Sequence, residues 1–351
     1  MARLRARNGD PAGTLALAAR ESVKQMLLVS GLPEAEEALR RYPKPDGWEL
    51  DPHKTCAARK GSLAGEIEHM EKVLAPENQT ALASRRPMDV LELHYFLAEL
   101  YAYQGKMDLA LPEFEKAYQV ARSDAPEEIP QMEETLGIMY LHKSEMENDV
   151  YREPGERCLF PMRPGNAYKK TEDSEKSIVY FQKYLDKKPG ELDVKWLLNL
   201  AYMTVGKYPA GVPPKYLLPI SLFESKEDVG RFEDVATEAG LNLFEMAGGL
   251  VVEDLENNGL FDVVTSSFEM CAPMHFFHNN GNGIFTDKTA EAGLSGQLGA
   301  LNMIQTDYNN DGCLDILMLR GAWEAPQRMS LLRNNCNGTF THGDRRSGGI
   351  S

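Results

Sequence analysis

No apolar run in this chain of 351 residues approaches the ~18 consecutive residues that a membrane-crossing helix needs, so no membrane span is expected. Basic residues are in short supply: 38 Lys and Arg stand against 53 Asp and Glu, a formal net charge of −15. Binding to phosphate backbones draws on positive charge, so nucleic acid is excluded as the main partner. Cysteine is sparse. The five (Cys56, Cys158, Cys271, Cys313 and Cys336) include no C-x-x-C pair, which excludes a zinc ribbon and a disulfide-dense scaffold and leaves the redox compartment open. A G-x-S-x-G nucleophile elbow and a phosphate-cradling P-loop are also missing. The start, with Arg3, Arg5 and Arg7 ahead of a short apolar stretch at 14–19, matches a signal peptide poorly because Asn8, Gly9, Asp10 and Pro11 interrupt it.

What is present is enough apolar residue, 42%, for packed cores, and enough length for two or three domains. The two signs of charge alternate through the first part, as on solvated helix faces. Between residues 232 and 340, however, 15 acidic residues face only 4 basic ones. Gly and Asn become frequent over the same stretch. The segment 206–219 carries Pro209, Pro213, Pro214 and Pro219 and reads as an irregular connector. Four regions follow: a poorly defined N-terminal region over 1–60, a helical domain over 61–206, a linker over 207–230, and a repeated region over 231–351.

Apolar residues recur with helical period from 90 to 122, with a break at Gln104-Gly105-Lys106. Leu97, Ala98 and Tyr101, then Ala110, Phe114 and Ala117, stand at the small and large positions of a tetratricopeptide repeat. Small residues let two antiparallel helices approach, and large ones fill the gap toward the next pair. A second unit starts at Leu136, Gly137 and Tyr140 and resumes at Ser177, Phe181 and Tyr184. An insertion over 145–171, containing Cys158-Leu-Phe-Pro161, separates its helices. A third first-helix carries Leu198, Asn199 and Tyr202, and a further helix is expected over 61–75. A generic bundle without a groove is the plain alternative. The sharper expectation is a short solenoid whose concave face binds a protein or peptide.

The C-terminal region aligns with itself. Phe232 to Leu241 matches Phe285 to Leu294, and Asp254, Gly259 and Asp262 fall on Asp307, Gly312 and Asp315 at the same offset of 53. His278-Asn-Asn-Gly-Asn-Gly283 falls on Arg333-Asn-Asn-Cys-Asn-Gly338 at an offset of 55, so two residues are inserted near Trp323. A third copy starts at Phe340 and degenerates by 348–350. Short β-rich runs separated by Gly, Asn and Asp predict antiparallel strands joined by tight turns, about four per copy.

Two acidic turns recur within these copies. One offers Asp254, Glu256, Asn258 and Asp262, the other Asp307, Asn309, Asp311 and Asp315, at loop positions one, three, five and nine. Alternate positions in a curled loop point inward, so these oxygens can converge on one hard cation. Glycine at position six permits the positive φ of the curl, and the carbonyl of Leu260 or Cys313 at position seven can add a ligand. Oxygen-only ligation favours calcium, with two sites expected. An EF-hand is excluded because position twelve is Thr265 or Met318 and β-rich runs follow. The competing reading is an Asp/Asn/Gly turn held by its own side chains. His275 and His278, with odd spacing in a strand, point to opposite faces, which disfavours a joint metal site.

These turns resemble the D-x-D-x-D-G-x-x-D calcium turns of FG-GAP/VCBS repeats, whose blades form β-propellers. The F-x-D lead-in with E-A-G-L, followed by N-N-G-x-G, is similar to FG-GAP proteins of the ASPIC/UnbV group. The tetratricopeptide units, the Cys158-Leu-Phe-Pro161 insertion and Trp196 to Tyr202 look like the N-terminal part of bacterial members of that group. The resemblance implies a tetratricopeptide-like α-solenoid followed by incomplete propeller blades, and an extracytoplasmic or secreted setting. The leading expectation is a non-enzymatic role, in which calcium pins the turns and partners dock, either proteins or a glycan or other surface ligand. Glu256 and Asn258 replace the usual Asp residues, so the first site should be the weaker. Two blades cannot close a ring, so this chain is expected to be a fragment. A carbohydrate-active hydrolase or lyase, completed by a missing C-terminal part, is the alternative function.

Overall fold

The computed structural model describes residues 31–152, 161–222, 227, 230, 232–321 and 325–342. The basic start, Cys158 to Phe160, Trp323 and the tail at 348–350 lie outside them. Two units separate, one from Met1–Glu37 and Ala64–Glu227, the other from Ala38–Leu63 and Asp228–Ser351.

The helical half contains α1 (Leu32–Arg41), α2 (Pro52–Val73), α3 (Gln79–Ala83), α4 (Pro87–Tyr103), α5 (Met107–Asp124), α6 (Ile129–Glu147), α7 (Glu172–Lys187) and α8 (Leu192–Thr204). The helix expected over 61–75 starts earlier, at Pro52. Asp51 Oδ1 accepts the His53 N–H at 2.9 Å, and proline suits a first helical turn because its missing N–H would have no partner there. Helices α4 and α5 meet at Gly105, whose φ of 69° lets the chain reverse. Ala98, Ala110, Phe114 and Ala117 are fully buried between them, as close helix packing requires. Gly137 does the same for α6 and α7: a Cβ there would lie 2.5 Å from the Phe181 ring.

The segment expected as an irregular connector is irregular but not loose. Val212 and Tyr216 pack into the core formed by Phe181, Leu185 and Leu198. Asn199, fully buried on α8, donates to the Tyr216 carbonyl at 2.8 Å and accepts the Leu218 N–H at 3.0 Å. A buried amide gives these otherwise orphaned backbone groups their partners.

In the second unit, a short helix α9 (Ala236–Ala239) precedes two antiparallel sheets of four strands. The first has the order β1 (Ala247–Glu253), β2 (Asp262–Ser267), β3 (His275–Asn279) and β4 (Phe285–Asp287). The second follows with β5 (Asn302–Thr306), β6 (Asp315–Leu319), β7 (Ser330–Asn334) and β8 (Phe340–His342). The sheets are offset in phase from the sequence repeat. Phe285 and Phe340, which open the second and third sequence copies, lie in the last strands of the first and second sheets.

One apolar core joins the sheets, and equivalent strands contribute opposite faces to it. The first sheet presents Val251, Val264 and Phe276, which neighbour one another across β1, β2 and β3. The second presents Met303, Ile316, Met318 and Leu332. At the offset of 53, Met303 corresponds to Leu250, which is 58% exposed, while buried Val251 corresponds to Ile304, 44% exposed. The sheets therefore stack head to tail, not as two like faces.

Residues 38–63 belong to this unit. Leu39 and Ala58 pack with Met270 and Ala325, Arg59 pairs with Glu269 at 2.9 Å, and Cys56 is disulfide-bonded to Cys271. The Cys56–Cys271 bond spans 215 residues. Nothing in the local sequence signals a pairing across that distance.

Candidate functional site

The two acidic turns occupy equivalent places, linking β1 to β2 and β5 to β6. Their backbones match. Position four is left-handed in both (Asn257 φ 55°, Asn310 φ 58°), and so is the glycine at position six (Gly259 and Gly312, both φ 85°). The position-one aspartate spans the curl. Asp254 accepts the N–H groups of Asn258 and Gly259 at 2.9 and 2.8 Å, and Asp307 accepts those of Asp311 and Gly312 at 3.1 and 2.9 Å. Position five closes the next step: Asn258 accepts the Leu260 N–H and Asp311 the Cys313 N–H. These bonds by themselves hold the turn, as in any Asx turn.

Position nine is different. Asp262 and Asp315 are fully buried at the start of their strands. Each accepts a backbone N–H from the third strand, Asn279 at 3.0 Å and Asn334 at 2.7 Å. Asn279 and Asn334 in turn donate their side-chain amides to the carbonyls of Phe261 and Leu314. Each Asn-Asn-Gly-x-Gly or Asn-Asn-Cys-x-Gly motif thus locks its turn onto its acidic loop. Burial pushes the Asp315 carboxyl above its ordinary range, helped by the charges of Asp311 and Asp307. Burial does the same to Asp262, where the Asn279 amide opposes it and Glu256 reinforces it. Asp311, exposed and bonded to Asn309, Cys313 and Arg333, lies below the usual carboxylate range.

The surroundings of the loops diverge. In the first, Glu256, Asp262 and His278 bring ligand-type atoms within 4.8 Å of one another. His278, which sequence reasoning weighed only against His275, is the added member. His275 stands apart, paired with Asp287 at 3.1 Å and Glu245 at 3.3 Å. In the second loop, Arg333 replaces His278 and donates to Asp311 at 3.1 Å. Cys313 and Cys336 are joined in a disulfide. Both cysteines depart from the first copy at aligned positions, Cys313 for Leu260 and Cys336 for Gly281. That paired exchange was the signal in the sequence.

The helical half carries a second polar cluster. Tyr140 and Tyr180 stack with their ring centroids 5.8 Å apart. Both donate hydroxyls to Glu115 Oε1, at 3.0 and 2.7 Å, and Lys183 lies 4.7 Å over the Tyr180 ring.

A helical half with a tetratricopeptide repeat and a β half with an FG-GAP-like repeat define the class. Residues 91–124 match the tetratricopeptide repeat family, and residues 254–318 match the FG-GAP-like repeat family. Over 142 residues the chain is 34% identical to mouse cartilage acidic protein 1, which is 39% of this chain and 20% of that protein. It is 30% identical to the human protein over the same length, 39% and 19% of the two chains. The aligned part therefore spans about a fifth of the length of these relatives. Among the described residues, no helix is long and apolar enough to cross a membrane.

Proposed function

We propose that this protein is a calcium-stabilised interaction module in which acidic turns pin propeller blades and the helical repeats bind a protein or peptide. One observation carries the reading. Two turns with matching backbone dihedrals each end in a fully buried aspartate, Asp262 or Asp315. Buried carboxylates crowded by others need a compensating charge, and a divalent cation supplies it. Calcium accepts this oxygen-rich ligand set, using Asp254, Glu256, Asn258, Leu260 and Asp262, or Asp307, Asn309, Asp311, Cys313 and Asp315.

Head-to-tail stacking supports a propeller, because each sheet buries one face on its predecessor and leaves the other for a successor. A sandwich of two sheets would bury equivalent faces instead. Exposed Leu250 and Ile304 fit surfaces that further blades would cover. Two disulfides support an oxidising, extracytoplasmic setting, since thiols stay reduced in most cytosols. The tetratricopeptide match supports protein interaction. The test is calorimetric: Asp307→Ala with Asp315→Ala should lower calcium stoichiometry by one, and an unchanged stoichiometry would remove the second site.

A further inference from the structure

The second acidic turn is tied to the hairpin between β7 and β8 at three points, and one of them is covalent. Arg333 pairs with Asp311 at 3.1 Å, the Asn334 N–H donates to Asp315 at 2.7 Å, and Cys313 is disulfide-bonded to Cys336. Cys313 holds position seven, whose carbonyl is a candidate ligand, and its N–H donates to Asp311 Oδ1 at 3.1 Å. The hairpin end is constrained as well. The Cys336 N–H donates to Asn334 Oδ1 at 2.9 Å, and Cys336 is left-handed at φ 62°. Both sulfurs lie within 4.8 Å of a carboxylate oxygen of Asp311, at position five. In the first turn the corresponding ties, His278 to Glu256 and the Asn279 N–H to Asp262, are noncovalent, and position seven is Leu260.

We propose that the Cys313–Cys336 bond is a positioning lock for the second turn's cation, so that calcium affinity there and the bond's resistance to reduction are coupled. This rests on the reading of the turns as calcium sites and adds a redox dependence that the first turn lacks. Binding needs the residue 313 carbonyl and the Asp311 carboxylate to face the ion together. The disulfide fixes residue 313 before the ion arrives, so less ordering remains to oppose binding. Such coupling is reciprocal: whatever factor the bond adds to calcium affinity, calcium adds to the stability of the bond. Opening it is a thiol–disulfide exchange with a dithiol reductant. The reductant's thiolate attacks Cys336 Sγ, because Cys336 is exposed and Cys313 is only 2% exposed. The Sγ–Sγ bond breaks, and Cys313 leaves as a thiolate that takes up a proton. The second thiol of the reductant then displaces Cys336 and closes a disulfide of its own, having given up two electrons.

The experiment uses the full chain carrying Asp254→Ala, which disables the first turn. The protein is equilibrated in dithiothreitol redox buffers with and without calcium, alkylated and mapped by peptide mass, which reads Cys313–Cys336 separately from Cys56–Cys271. Saturating calcium should make Cys313–Cys336 about tenfold harder to reduce, a shift of about 30 mV to lower potential, and leave Cys56–Cys271 unchanged. Calorimetry should show the same factor as weaker calcium binding in Cys313→Ser with Cys336→Ser, once circular dichroism confirms its fold. If that variant does not fold, the redox measurement decides alone. Calcium that binds without moving the Cys313–Cys336 midpoint overturns the proposal and leaves the calcium reading standing. An equal shift at Cys56–Cys271 also overturns it, because the effect would then be general stabilisation. Absence of calcium from the second turn overturns this proposal and the calcium reading of that turn together.

Discussion

Cys313 and Cys336 form a disulfide in the place that Leu260 and Gly281 hold in the preceding sheet. A Cβ at Gly281 would lie 3.3 Å from Leu260 Cδ1, so an apolar contact in one copy is a covalent bond in the other. Cys336 keeps the left-handed φ, 62°, that its glycine counterpart adopts at 79°.

Exchange of this pair is therefore graded. The bond closes a 23-residue span, for which the chain-entropy account gives about 3 kcal/mol. Cys336→Ala should lose that stability and retain the left-handed backbone. Cys313→Leu with Cys336→Gly should recover about 1 kcal/mol of the loss, since glycine relieves the backbone and leucine restores the contact. Urea unfolding of the variants orders them; equal midpoints would contradict the equivalence of the two positions.

Calcium should leave the turns in sequence. Glu256 and Asn258 stand in the first where the second has Asn309 and Asp311, and His278 contacts Glu256 there, whereas in the second Arg333 pairs with Asp311 at 3.1 Å. As chelator is added, the first turn is expected to empty before the second. Calorimetry at graded free calcium, with and without Asp307→Ala, reads the order. Simultaneous loss would remove the ranking.

The tetratricopeptide packing is testable at Gly137. Alanine favours helix by about 1 kcal/mol over glycine, but here its Cβ would lie 2.5 Å from the Phe181 ring. Phe181 is fully buried and has nowhere to retreat. Overpacking of this kind costs about 1–3 kcal/mol, so Gly137→Ala should lower the melting temperature of the helical unit. A rise would mean that the α6–α7 contact is looser than described.

Glu99, 2% exposed on α4, has a carboxyl held well above its ordinary range by burial, with Glu34 adding repulsion. A group raised in the folded state contributes stability below its unfolded pKa and loses that contribution as pH rises through the folded value. The helical unit should therefore weaken from acid toward alkaline pH through this residue. Glu99→Gln should flatten that slope and gain about 1–2 kcal/mol at the alkaline end. An unchanged pH profile of unfolding would exclude Glu99 as its source.

Much of this was legible in the chain. Tetratricopeptide spacing placed Ala98, Ala110 and Phe114 in the helical core, because small residues at close crossings leave a pattern in the sequence itself. Self-alignment located the acidic turns, because their glycines and oxygen side chains answer to local backbone geometry. The phase of the repeat was not legible: Phe285 and Phe340 open sequence copies yet complete the preceding sheets, since strand pairing ignores where a repeat appears to begin.

Local chemistry thus determined which segments are helices, strands and acidic turns, for periodicity, turn residues and alternating oxygens act within a few positions. Tertiary structure decided which distant groups meet. It joined Cys56 to Cys271 and assigned residues 38–63 to the β unit. It also set opposite faces of equivalent sheets against each other and brought His278 to Glu256 and Asp262. Such pairings depend on the path of the folded chain, and short-range spacing does not encode that path.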